Sequence, residues 1–177
     1  MNVITNEYGR GLYSLAEEKN IVEGMLNEIR AVSSLFTQEY IHLLINPDIP
    51  KDERISLVGN ALDGRVCDYL SNFVKLLTER GLASEIKGCF DVFEDLYYES
   101  NNIVRVTAES TVPLSDEQKK KLESKLSAHT GRAVEVSYVL TPSLIGGMRI
   151  SYDNKLIDDS VSTKLREIGD KLSRVTL

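Results

Sequence analysis

Along the first hundred residues, apolar positions recur every third or fourth place, the repeat of a helix with one buried face. Ile4, Tyr8, Leu12 and Leu15 fall on one stripe, and Ile21, Val22, Met25, Leu26, Ile29, Val32 and Leu35-Phe36 on a second. A shorter segment, Glu39 to Leu44, is predicted to stop at Asn46-Pro47, because a residue before proline disfavours helical geometry. Pro50-Lys51-Asp52-Glu53 opens a fourth helix, with proline in the tolerated first turn and acids near the positive end of the dipole. That helix carries Ile55, Val58 and Leu62 and ends at Asp63-Gly64. Val66, Leu70, Phe73, Val74 and Leu77 make a fifth stripe, broken at Arg80-Gly81; Ile86, Cys89-Phe90, Phe93 and Leu96-Tyr97 make a sixth. Six amphipathic helices with short connections predict an antiparallel bundle over residues 1–102.

After Asn101-Asn102 the period shortens to two. Ile103, Val104, Val106 and Val112 alternate with Arg105, Thr107 and Glu109, which predicts a strand. Pro113 to Gln118 caps a helix carrying Leu122, Leu126 and the run Lys119-Lys120-Lys121, ended by Thr130-Gly131. Val134, Val136, Tyr138 and Leu140 form a second strand. Met148, Ile150 and Tyr152 form a third, after Gly146-Gly147. Asp153-Asn154 reads as a hairpin turn into a short strand, Lys155-Leu156-Ile157. Asp158 to Ser160 then offers cap oxygens to a last helix reaching the C-terminus. The predicted fold class is mainly α with two domains: a six-helix bundle (1–102) and a small α+β domain (103–177).

Composition narrows the function. No apolar run approaches the roughly 20 residues that cross a bilayer, and no basic segment followed by an apolar one marks a signal peptide at the N-terminus. Cys67 and Cys89 sit among apolar neighbours and read as buried free thiols of a soluble cytoplasmic protein. Residues 1–102 hold 9 Lys/Arg against 17 Asp/Glu, a net of −8, and residues 103–177 hold 12 against 10, a net of +2. An acidic chain without a dense basic face argues against nucleic acid as a partner.

No catalytic or cofactor motif is evident. Gly59-Asn60-Ala61-Leu62-Asp63-Gly64 has the glycine spacing of a phosphate loop, but Arg65-Val66 replaces the Lys-Ser/Thr that would hold phosphate and Mg²⁺. His42 and His129 have no Cys, Asp or Glu at metal-ligand spacing and read as solvated or capping residues. The triple lysine reads as a solvated helix face. No metal, cofactor or catalytic residue is expected.

The stretch Ile145-Gly146-Gly147, followed by Ile157-Asp158-x-Ser160, resembles the C-terminal signature of the delta subunit of bacterial F-type ATP synthases, the oligomycin-sensitivity-conferring protein family. Tyr8-Gly9-Arg10-Gly11-Leu12-Tyr13-Ser14-Leu15-Ala16 is similar to that family's opening helix, and Asn46-Pro47-Asp48-Ile49 to the break before its fourth. Leu76 to Leu82 looks like its fifth-to-sixth helix junction, and Val112-Pro113-Leu114-Ser115 like the end of its first strand. The chain departs from the pattern at Thr141, where the family usually has Asp, at Asp159, where it usually has Gly, and at Gly9 and Gly11, where it usually has alanine.

The resemblance implies a non-catalytic stator subunit, present once per complex, peripheral on the cytoplasmic face of the cell membrane. It implies that the helical domain holds N-terminal helices of the alpha subunits in a groove between helices one and five. On this chain that places Tyr8, Gly11, Leu12, Leu15, Leu70, Phe73 and Leu77 at the contact. It implies that the second domain binds the C-terminal ends of the b subunits, with Gly146, Gly147, Asp158 and Ser160 as a structural motif. Two other classes fit parts of the sequence: a free-standing helical adaptor or regulatory protein, which the first half alone would suit, and a small enzyme built from unmotifed residues. The Gly-Gly strand with Ile157-Asp158-x-Ser160 argues against the adaptor.

Overall fold

The computed structural model describes residues 2–153 and 155–165. The protein is mainly helical with one four-stranded sheet, and the chain divides into two compact units, residues 1–97 and 98–177.

The first unit holds α1 (Val3–Glu18), α2 (Val22–Ser33), α3 (Gln38–Ile45), α4 (Lys51–Leu62), α5 (Asp68–Glu79) and most of α6 (Ile86–Ser100). The helix ends follow local chemistry. Thr37 caps α3 by accepting the Tyr40 N–H at 3.2 Å, and Asn46, before Pro47, turns to an extended ψ of 118° that stops it. Pro50 is the N-cap residue of α4 rather than a member of its first turn, because its ψ of 143° lies outside the helical range. Cys67, at the N-cap of α5, lends no side-chain bond; its own N–H donates to the Glu28 carboxylate of α2 at 2.8 Å. The second helix ends at Ser33, short of the predicted Phe36, yet Phe36 is fully buried from the connecting loop.

One core joins all six helices. Leu12, Leu26, Ile29, Leu44, Val58, Leu62, Leu70, Val74, Leu77, Ile86 and Phe93 are each within 3% of complete burial. Edge-on ring pairs tie the layers: Tyr13 meets Phe93 at 5.3 Å between centroids, and Phe36 meets Phe90 at 5.7 Å. At the crossing of α1 and α6 the backbones approach closely. A Cβ on Gly9 would stand 2.6 Å from the Val92 Cβ, and one on Gly88 would stand 2.5 Å from the Thr5 Cγ2. Both glycines are therefore packing requirements, which offsets what they cost as helix residues.

In the second unit, β1 (Ile103–Ser110) pairs in parallel with β2 (Ala133–Leu140), from Ile103 opposite Ala133 to Ser110 opposite Leu140. Between them lies α7 (Asp116–Thr130), begun by a Ser115/Gln118 capping box and ended by Gly131 at a φ of 68°. β3 (Met148–Tyr152) runs antiparallel to β1, and β4 (Lys155–Asp158) antiparallel to β3, giving the order β2-β1-β3-β4. Val104, Val106, Leu126 and Tyr152 form the core. Val112 was expected within the first strand. It lies beyond the strand's end and is 62% exposed, because the Ser110 hydroxyl donates to the Val112 carbonyl and curls the chain away. Asp153 takes a turn conformation with φ 44°, and Asn154 lies outside the described residues. The last helix is present over 161–165, and its expected continuation to the C-terminus lies outside the described residues.

The tight α1–α6 crossing makes a test. Gly9→Val forces two methyl groups against Val92, and overpacking of this kind costs about 1–3 kcal/mol. Urea unfolding should show the midpoint falling with an unchanged m-value; an unaltered midpoint would mean that the helices do not meet as described.

Candidate functional site

α1 and α5 lie side by side and antiparallel. Tyr8, near the start of α1, accepts a hydrogen bond from the Arg80 guanidinium at the end of α5 at 2.7 Å. At the opposite ends, the Lys19 ammonium is held by Glu18 and also feels the Tyr69 phenol. Between these ends is an open groove of about 390 Å³ lined by Glu7, Tyr8, Gly11, Leu12, Leu15, Phe73 and Leu76. Its floor is apolar. The Tyr8 ring stands edge-on to Phe73 at 6.5 Å, and the Arg80 guanidinium lies over it at 6.0 Å.

Of the seven residues placed at this contact from the sequence, five line the groove: Tyr8, Gly11, Leu12, Leu15 and Phe73. Leu70 and Leu77 do not; both are completely buried in the helical core. Leu12 does double duty, since it lines the groove while remaining only 2% exposed. Leu76 and Glu7 were missed. Leu76 is 37% exposed and lies three residues after Phe73, on the shoulder of the apolar stripe. A stripe centred on Leu70, Val74 and Leu77 identifies the face that packs inward, whereas the groove is lined from the flank beside it.

A second hollow, of about 560 Å³, is lined by Ile55, Ser56, Gly59, Asn60, Asp63 and Lys75, part of the phosphate-loop candidate. Gly59 to Leu62 is the last turn of α4, so its amides serve the helix instead of forming a cradle. The Lys75 ammonium is bound to both oxygens of Asp63 at 2.7 and 2.8 Å, which holds that carboxyl below its usual range. Any phosphate there would face that carboxylate. Cys89 is wholly buried, and burial pushes its thiol up to about 11, the opposite of a reactive thiolate. His42 and His129 lie exposed in the last turns of α3 and α7. Among the described residues no cluster of His, Cys, Asp or Glu could hold a metal ion.

In the second unit the structure brings Gly146, Gly147, Asp158 and Ser160 together. The Val161 N–H donates to the Gly146 carbonyl at 2.9 Å, and the Asp159 N–H to the Met148 carbonyl at 3.1 Å. Gly147, at φ 82°, is so close that a Cβ would stand 2.5 Å from the Asp159 carbonyl oxygen. Ser160, fully buried, accepts the Thr163 N–H at 3.3 Å and caps the last helix. Asp158 braces the corner: one oxygen accepts the Ser160 N–H at 2.9 Å, and the other accepts the Thr163 hydroxyl at 2.9 Å and Arg149 Nε at 3.0 Å. Asp159, the departure from the usual glycine, points outward and pairs with Lys164 at 2.6 Å.

These features define a helical protein with an open apolar groove and, among the described residues, no cluster that could hold a metal ion. The family model "ATP synthase delta (OSCP) subunit" matches residues 4–172, and the chain belongs to that family. It is similar to the ATP synthase subunit delta of Lachnoclostridium phytofermentans, at 31% identity over 99% of this chain and 98% of the relative. That of Clostridioides difficile is 29% identical, again over 99% and 98%. A chain of the Toxoplasma gondii mitochondrial ATP synthase hexamer shares the fold, with a TM-score of 0.68 and 18% identity over 97% of this chain and 98% of its own length. The protein is a non-catalytic subunit of ATP synthase and part of its stator. No helix among the described residues is long and apolar enough to cross a membrane.

The Asp158 brace carries a pH signature. Hydrogen bonds from Ser160, Thr163 and Arg149 hold its carboxyl far below the usual carboxylate range, despite partial burial. A carboxyl depressed in the folded state stabilises it above the unfolded value, near pH 4, and that share is lost as pH falls from there towards the folded value. Stability of the protein followed between pH 6 and 2 should drop more steeply than that of Asp158→Asn. Parallel curves would show that the brace does not contribute.

Proposed function

We propose that the groove between α1 and α5 holds an N-terminal helix of an alpha subunit, and that the sheet unit holds the C-terminal ends of the b subunits. The protein would then close the peripheral stalk on the cytoplasmic face of the membrane, one copy per complex, and stop the catalytic head from turning with the rotor. In this reading the helices of the first unit form a bundle domain, 1–102, and residues 103–177 a second domain with its own partner. The observation that carries it is the groove itself: an apolar trough between two antiparallel helices, sized for side chains from one face of a third helix.

The sheet unit offers a different kind of surface. Leu140, Leu156 and Leu165 are each more than half exposed, and Val139, Ile157 and Val161 are 40–45% exposed. Leu156 and Ile157 lie on the edge strand β4, where an unpaired strand edge is open to a partner segment.

Leu76→Asp tests the groove with little risk to the fold, because Leu76 is 37% exposed and outside the core. Docking would bury the new carboxylate without a partner, at a cost of several kcal/mol. The variant should keep its far-ultraviolet circular dichroism and melting temperature. Its affinity for the isolated catalytic head should fall by about 100-fold or more. A folded variant that binds the head normally removes the groove as the docking face.

A further inference from the structure

Three glycines of α1 and α6 differ in what surrounds them. Gly9 and Gly88 stand where a side chain would strike Val92 and Thr5. Gly11 has nothing within 4 Å of where its Cβ would be, yet it sits in the interior of α1, where glycine is among the least favourable residues. Nothing among the described residues requires a glycine there. Gly24 of α2 is equally open, but it does not line the groove, whereas Gly11 lies in it beside Tyr8 and Leu15.

We infer that Gly11 is a specificity notch: the docked helix seats a large apolar side chain over the bare Cα of Gly11 and turns a basic residue towards Glu7. The inference rests on the reading of the groove as the seat of an alpha-subunit helix and adds which side chains that helix presents. A knob entering a hole left by a missing Cβ makes contacts that alanine would already push back. The basic residue follows from charge. Glu7 lines the groove without a salt-bridge partner among the described residues, and residues 1–102 carry a net charge of −8.

The test uses the full chain and a synthetic peptide of the alpha subunit's N-terminal helix from the same organism, titrated by calorimetry. Wild type should bind saturably. Gly11→Ala should bind about tenfold more weakly and Gly11→Leu at least about 100-fold more weakly, while Gly24→Ala matches wild type. In thermal melts both alanine variants should rise by about 2–4 °C, since each removes a glycine from an unconstrained helix position. A fold made more stable together with a partner made weaker is an outcome that a purely structural role for Gly11 does not produce. Glu7→Gln should flatten the salt dependence of binding. Equal affinity of Gly11→Ala and wild type overturns the notch and leaves the groove standing. Unchanged salt dependence in Glu7→Gln overturns the basic contact. A wild-type protein that ignores the peptide overturns the groove reading, and the notch falls with it.

Discussion

The close crossing of α1 on α6 is the constraint on which the first unit depends. Without Cβ atoms at Gly9 and Gly88, α1 settles onto α6, and Tyr13 reaches Phe93. That contact fixes which way the rest of α1 faces. Gly9 and Gly11 are two positions apart, so they lie about 200° apart around the helix. One is pressed into the neighbouring helix, and the other is left open in the groove. The same short stretch therefore both anchors the wall and shapes the trough.

Glu28 plays a comparable part at the far end of α5. By accepting the Cys67 N–H it satisfies the donor of the N-cap residue itself, and it ties the start of α5 to α2. The pairs Tyr8–Arg80 and Lys75–Asp63 then hold the end and middle of α5 to α1 and to the end of α4. The groove is thus walled by helices each fastened at more than one point, which suits the docking role proposed for it.

Much of this was legible in the sequence, because helical and strand periods report burial directly. The stripes located all six helices to within a few residues, and the change to alternation at Ile103 marked the first strand. What was not legible depended on partners distant in the chain. Nothing near Cys67 announces Glu28 as its partner, and nothing near Phe36 says that a loop residue completes the core. The groove residues were half legible for a related reason. Periodicity separates inside from outside, but Leu70 and Leu77 are inside, while Leu76, on the flank, lines the groove. Glu7 and Arg80 flank the stripes, where pattern carries no signal. Gly147 could be singled out as unusual, but only the structure supplies the reason, the Asp159 carbonyl lying where its side chain would go.

The sheet order has a consequence for how the chain is made. β1 leaves the ribosome before either of its neighbours, and it is an interior strand, paired with β2 on one edge and β3 on the other. One edge stays bare until β2 is complete at Leu140 and the other until the chain has been synthesised past Tyr152, whereas each helix of the first unit can form as soon as it emerges. Translation therefore delivers a helical unit near completion, trailed by an unpaired strand that carries Ile103, Val104 and Val106. During that interval an unpaired edge of β1 is open to wrong pairing.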